Sequence, residues 1–148
     1  GATKVFVGGD RDDVAVIGRD AASMETDLTI ASGESLRSTC ELDLPQGTLM
    51  VALPEWPRIA SREVTEAFAE RRLLAEGYVL PTYAAVEIAH AALAEEQPAG
   101  AILTENLSSR DFQTAIGPIR FNEKGDLEQN PYRLFRYETE AFVDVPVP

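Results

Sequence analysis

Two stretches decide how this chain folds: Tyr78-Val79-Leu80-Pro81-Thr82-Tyr83-Ala84-Ala85-Val86 and Ile116-Gly117-Pro118-Ile119-Arg120-Phe121-Asn122-Glu123-Lys124-Gly125-Asp126. In the first, an aromatic residue and a proline open an Ala-rich helix expected from about Pro81 to Glu95. Proline is tolerated there because the first helical position needs no amide donor. In the second, a Gly-Pro bend leads into a strand over Ile116 to Phe121 and a Lys-Gly turn closed by Asp126. Further out, Lys4-Val5-Phe6-Val7 reads as a buried-type strand that runs into Gly8-Gly9. The acidic cluster Asp10, Asp12 and Asp13 fits a helix N-terminus, where carboxylates offset the positive end of the dipole. Val14, Ile17, Ala21 and Met24 then recur at helical spacing. Leu28 to Ala31 and Thr48 to Leu53 read as further strands. Strands that alternate with helices argue for an α/β fold with a parallel sheet whose faces are covered.

Proline punctuates the chain at Pro54 and Pro57, around Glu55 and Trp56, which reads as a crossover between two lobes. A helix is expected from about Ser61 to Ala75, with Ser61 as N-cap, Val64, Ala67 and Phe68 on its apolar side, and Gly77 as its breaker. After a Pro98-Ala99-Gly100 loop comes a short helix through Leu107. Tyr132 to Tyr137 and Ala141 to Val145 complete the strands, with turns at Gly125 and around Asn130-Pro131. No internal repeat or low-complexity segment is visible.

With 45% hydrophobic and 26% charged residues in 148, the composition is that of a soluble globular protein with an ordinary core. The net charge of −12 disfavours nucleic acid as a partner, because phosphate is bound through a positive field. An anionic membrane surface is repelled for the same reason. No apolar run approaches the roughly 20 residues that span a bilayer, so the chain is not membrane-embedded. Gly1 to Gly9 has one lysine and too short an apolar stretch to read as a signal peptide. The single cysteine, Cys40, excludes an intramolecular disulfide and leaves the redox compartment open.

The search for catalytic chemistry is mostly negative. A Cys-His pair would have to use Cys40 and His90, the sole members of their kind, and a buried thiol with a helix-surface imidazole is the simpler reading. No Gly-x-Ser-x-Gly turn exposes a serine, and no cluster of Cys or His stands at metal-ligand spacing. The Asp10 to Asp13 cluster reads as helix-start carboxylates before it reads as a cation site. No cofactor or metal is therefore expected. Gly8-Gly9 raises a dinucleotide site, but the third glycine of that pattern is absent, and Asp10, Asp12 and Asp13 would repel a pyrophosphate. The same acidic turn suits a positively charged ligand group. Ligands of open α/β sheets gather beyond the carboxyl ends of the strands, where Asp10 and Glu34 both fall. Asp10 reads equally as a helix cap and as a ligand contact.

The quoted stretches, taken with Phe6-Val7-Gly8-Gly9, resemble the C-terminal portion of the leucine/isoleucine/valine-binding family of ABC-transporter periplasmic substrate-binding proteins. The likeness runs from Val5 to about Phe142. It implies a type 1 periplasmic-binding fold, with parts of two Rossmann-like lobes in three α/β/α layers. By that comparison residues 1–57 belong to the second (C-terminal) lobe, 58–128 to the first, and 129–148 return to the second. The positions matching Asp10, Glu34 and Tyr78 face the ligand in that family. Glu34 matches a glutamate that receives the ligand's ammonium group, and Tyr78 a tyrosine beside the pocket. Asp10 stands where an aromatic residue is usual, while Ser35 and Trp56 are candidates by neighbourhood. Tyr83 is expected in the core, on the Val86 and His90 face of its helix.

What the resemblance implies is a non-enzymatic solute-binding component of an ABC importer, periplasmic or extracytoplasmic, with an amino acid (branched-chain or related) as ligand and an ABC permease as partner. The family's full members are considerably longer. The chain is therefore expected to be a fragment, a truncation or half of a split receptor, completed by a missing lobe or a second copy of the chain. Two alternatives remain: a ligand-sensing regulatory domain of the same fold, and a small α/β enzyme that uses Asp10 and Glu34 as an acid-base pair.

Overall fold

The computed structural model describes residues 1–39, 41–94, 103–108 and 110–146. Cys40, Glu95 and the Pro98-Ala99-Gly100 loop lie outside the described residues. In chain order the elements are β1 (Lys4–Val7), α1 (Arg11–Ser23), β2 (Thr29–Ser32), β3 (Leu49–Ala52), α2 (Arg62–Glu70), α3 (Val79–Ala94), α4 (Leu103–Ser108), β4 (Phe112–Thr114), β5 (Gly117–Ile119), β6 (Arg133–Glu138) and β7 (Ala141–Val145). Short 3-10 turns stand at Glu34–Arg37 and Trp56–Arg58. The chain divides into two units, Gly1–Pro54 with Tyr132–Pro148, and Glu55–Pro131.

The first unit is a five-stranded sheet in the order β1-β2-β3-β6-β7. β1, β2 and β3 are parallel, with Val5 beside Ile30 and Ser32 beside Met50. A parallel pair needs a crossover, and α1 provides it between β1 and β2. β6 adds antiparallel to β3, with Phe135 opposite Met50, and β7 folds back so that Phe142 faces Tyr137. The β6–β7 turn places Thr139 and Glu140 at φ 48° and 66°, the left-handed pair that matches the twist of a two-residue hairpin. One face of the sheet buries Ile30, Met50, Phe135 and Tyr137 against Val14 and Ala15 of α1, with Leu36 and Leu44 beside them. The buried hydroxyls are satisfied: Ser32 Oγ donates to Val7 O at 2.7 Å and Thr48 Oγ1 to Pro45 O at 2.7 Å.

Two expectations change here. β1 is an edge strand with Phe6 exposed, so its apolar run does not signal a buried strand. On α1 the buried stripe is Val14, Ala15 and Gly18, while Ile17 and Met24 face out. The stripe turns because Gly18 receives the ring of Pro45: a Cβ at Gly18 would meet Pro45 Cγ at 2.0 Å.

The second unit packs α3 against the β4–β5 hairpin and α4, around Ile88, Ala92 and Phe112. Phe121 meets Phe112 edge-on, with ring centroids 6.3 Å apart. Ser61 caps α2 as expected, accepting from Val64 N at 3.4 Å. The helix stops at Glu70, short of Ala75, because Arg71 leaves helical geometry and Arg72 takes φ 55°. α3 begins at Val79, so Pro81 is the third helical residue; its missing amide is still among those that lack an intrahelical acceptor. The buried stripe of α3 is Leu80, Ala84, Ile88 and Ala92. Tyr83, Val86 and His90 lie on the exposed side, so Tyr83 is not a core residue; its ring packs edge-on against Phe68 at 5.8 Å. β4 was not expected from the sequence, and it pairs antiparallel with β5. The Lys-Gly turn closes on Asn122, whose Oδ1 accepts from Lys124 N and Asp126 N. Among the described residues no helix is long and apolar enough to cross a membrane.

Candidate functional site

The parallel strands β1 and β2 end side by side, Val7 against Ser32, and the turns that leave them are stitched together. Ser35 Oγ donates to Gly9 O at 2.7 Å, and Arg11 Nη1 donates to Leu36 O at 2.9 Å. Asp10, Glu34 and Ser35 are thus brought to one edge of the sheet, at the carboxyl ends of its parallel strands. This is the edge at which α/β sheets gather ligands.

Asp10 is the N-cap of α1. Its Oδ1 accepts from Asp13 N at 3.0 Å, and Asp13 Oδ2 accepts from Asp10 N at 3.3 Å. This reciprocal box uses the amides that would otherwise be free for an anion. Glu34 opens the 3-10 turn after β2 and stands 3.7 Å from Arg37 Nε, three residues on. Arg37 is itself anchored, since its Nη2 donates to Leu53 O at 2.8 Å and its guanidinium lies 5.1 Å from the centre of the Phe135 ring. Arg11 is held in the same manner, 5.6 Å from the centre of the Tyr137 ring. Both arginines escaped the reading of the sequence. The Glu34 to Arg37 spacing was the available signal for one of them; the ring contacts come from β6, about a hundred residues away along the chain.

Trp56 and Tyr78 lie in the second unit. Trp56 opens its 3-10 turn and is partly buried, with an indole Nε1 that meets no hydrogen-bond partner among the described residues. Tyr78 is exposed directly before α3, and its carbonyl accepts from Thr82 N at 2.9 Å. Among the described residues no group of three or more His, Cys, Asp and Glu is placed to hold a metal ion. The edge formed by Asp10 and Glu34 is acidic, hydrogen-bonding and braced by arginines. Such a surface suits a cationic ligand group and opposes a phosphate.

The Leu/Ile/Val-binding protein BraC3 of Rhizobium johnstonii is 26% identical to the chain over 147 residues, covering 94% of this chain and 40% of that protein. The relatives are the Leu/Ile/Val-binding proteins. A second, Leu/Ile/Val-binding protein homolog 3 of Brucella melitensis, is 24% identical over 97% of this chain and 41% of its own length. The chain thus spans about two-fifths of the length of the curated relatives it matches. Among solved structures, an ABC transporter substrate-binding protein from Desulfitobacterium hafniense superposes with a TM-score of 0.72 at 20% identity, covering 97% of this chain and 44% of that one. The fold is that of the type 1 periplasmic binding proteins. No protein-family model matches the chain.

Proposed function

We propose that this chain is part of the solute-binding component of an ABC importer, with a branched-chain or related amino acid held between two lobes. The observation that carries this reading is the convergence of Asp10, Glu34 and Ser35 at the carboxyl edge of β1 and β2 in a chain related to Leu/Ile/Val-binding proteins. Glu34 receives the ligand's ammonium group. Asp10 tunes selectivity, and Tyr78 flanks the site, with Ser35 and Trp56 as further contacts. The division of the chain after Pro54 and after Pro131 supports assigning residues 1–57 and 129–148 to the second lobe and 58–128 to the first. Closure of the lobes over the ligand is a population shift driven by contacts on both, and the closed form is presented to a membrane permease on the periplasmic side. Catalysis is not part of the reading. Asp10 caps α1 through Asp13 N, and Glu34 stands 3.7 Å from Arg37 Nε.

The test is calorimetry of L-leucine binding to the full-length gene product. A desolvated ammonium needs an anion, and a charged hydrogen bond is worth roughly 1.5–3 kcal/mol, so Glu34→Gln is expected to weaken binding by about ten- to a hundredfold. Unchanged affinity in Glu34→Gln removes this residue from the role. A wild-type preference for a carboxylic acid that lacks an amine does so equally.

A further inference from the structure

Arg37 touches three parts of the sheet edge at once. Its Nη2 donates to Leu53 O at 2.8 Å, its guanidinium lies 5.1 Å from the centre of the Phe135 ring, and its Nε stands 3.7 Å from Glu34 Oε1. Leu53 directly follows β3, Phe135 lies in β6 opposite Met50, and Glu34 opens the turn after β2. One side chain thereby fixes the turn that carries the candidate ligand carboxylate against the two strands next in the sheet. A planar guanidinium can donate within its own plane while its flat face lies over a ring, and a lysine ammonium has no such face.

Two effects of opposite sign reach the ligand through this contact. The positive charge of Arg37 weakens the pull of Glu34 on an ammonium group. Against this, an anchored cation confines a flexible carboxylate before the ligand arrives, so that less rotamer freedom is lost on binding. The first effect is small for an amino acid, which carries a carboxylate beside its ammonium: the charge of Arg37 acts on the two ends with opposite sign. The confinement of Glu34 does not cancel in that way. At 3.7 Å the pair is also longer than a hydrogen bond, so Arg37 Nε steers the carboxylate by charge and does not occupy it as a close donor.

We propose that Arg37 is a positioning residue for ligand binding: held by Leu53 O and the Phe135 ring, it pre-orients the Glu34 carboxylate for the ligand's ammonium group. This deepens, and rests on, the assignment of that ammonium group to Glu34. Arg37 itself acts through Glu34 and needs no contact with the ligand.

The test is a double-mutant cycle in the full-length gene product, with L-leucine binding measured by calorimetry in wild type, Glu34→Gln, Arg37→Met and the double variant. Urea unfolding of each confirms that it is folded. Methionine keeps an apolar stem beside the Phe135 ring and removes the charge and the fork. Arg37→Met is expected to weaken binding about three- to tenfold where Glu34 is present, as loss of a partly exposed ion pair and of side-chain order would do. In the Glu34→Gln background the same change is expected to cost less than about twofold, because the coupled partner is already gone. Arg37→Lys, which keeps the charge without the fork, is expected to fall between wild type and Arg37→Met, and it carries the same comparison where Arg37→Met does not fold. Equal losses in both backgrounds overturn the proposal, since Arg37 then serves the fold and not Glu34. Unchanged or tighter binding in Arg37→Met overturns it as well. Wild-type affinity in Glu34→Gln alone is a different failure: it removes the assignment of the ammonium group to Glu34, and the positioning role with it.

Discussion

Replacing Gly18 by Ala tests the packing of α1 directly, because two effects of opposite sign meet at one residue. Alanine in a helix interior is favoured over glycine by about 1 kcal/mol. Against this, the new methyl carbon would sit 2.0 Å from Pro45 Cγ and 2.9 Å from Pro45 Cδ, well inside the ~3.5–4 Å of an ordinary carbon contact. A proline ring cannot swing aside as a flexible side chain does, so the backbone at Pro45 has to move. That backbone is pinned: Pro45 O accepts from Thr48 N at 3.1 Å and Thr48 Oγ1 at 2.7 Å, and Leu44 and Thr48 are both buried. Overpacking costs roughly 1–3 kcal/mol, and the pinned loop argues for the upper part of that range. The net expectation is a loss of about 1–2 kcal/mol, read in urea denaturation as a midpoint lower by about 0.5–1 M at an m-value of about 2 kcal/mol/M. Gly33→Ala is the control. Gly33 has φ −92° and open space at its Cβ, so alanine there is expected to be neutral or to stabilise by up to about 1 kcal/mol through the unfolded state. If Gly18→Ala raised the midpoint as Gly33→Ala does, the contact with Pro45 would not be tight and the reasoning would fail.

Two further outcomes are expected. Asp10→Asn should keep the cap of α1, since Asn caps as well as Asp, while shifting ligand preference more than overall affinity; Asp10→Ala should instead cost about 1 kcal/mol in thermal or urea unfolding. Equal loss of stability in both variants would show that the cap geometry is not what holds Asp10. Replacing His90 by Ala or Cys40 by Ser should leave leucine binding by the full-length gene product nearly unchanged in calorimetry, and a chemical activity lost in either variant would overturn the non-enzyme reading.

What the sequence determined by itself is what neighbouring residues decide. The caps at Asp10 and Ser61 depend on contacts three residues away, and both were legible as an acidic helix start and a serine before an apolar-periodic stretch. The α/β class and the strands near Lys4, Thr29, Leu49, Arg133 and Ala141 came from short β-rich runs separated by turn residues, and Asp10 and Glu34, each just beyond the carboxyl end of an expected strand, marked the edge of the sheet where the candidate site lies. The tertiary structure decided what residues distant in the chain impose on one another. Val5 to Val7 could not be placed at an edge until β2 paired on one side only, and the apolar sequence of β1 to β3 says nothing of which face a helix covers. The buried stripe of α1 turned toward Gly18 because Pro45, almost thirty residues on, fills the space a side chain would need. α3 is apolar nearly all round, so its periodicity could not choose between the Tyr83 side and the Leu80 side; Phe112 of the unrecognised strand β4 helped to make that choice. At the candidate site the split is the same. The carboxylates were visible as residue types at strand ends, while the arginines that brace them are fixed by the rings of Phe135 and Tyr137, which only the antiparallel return of β6 brings within reach.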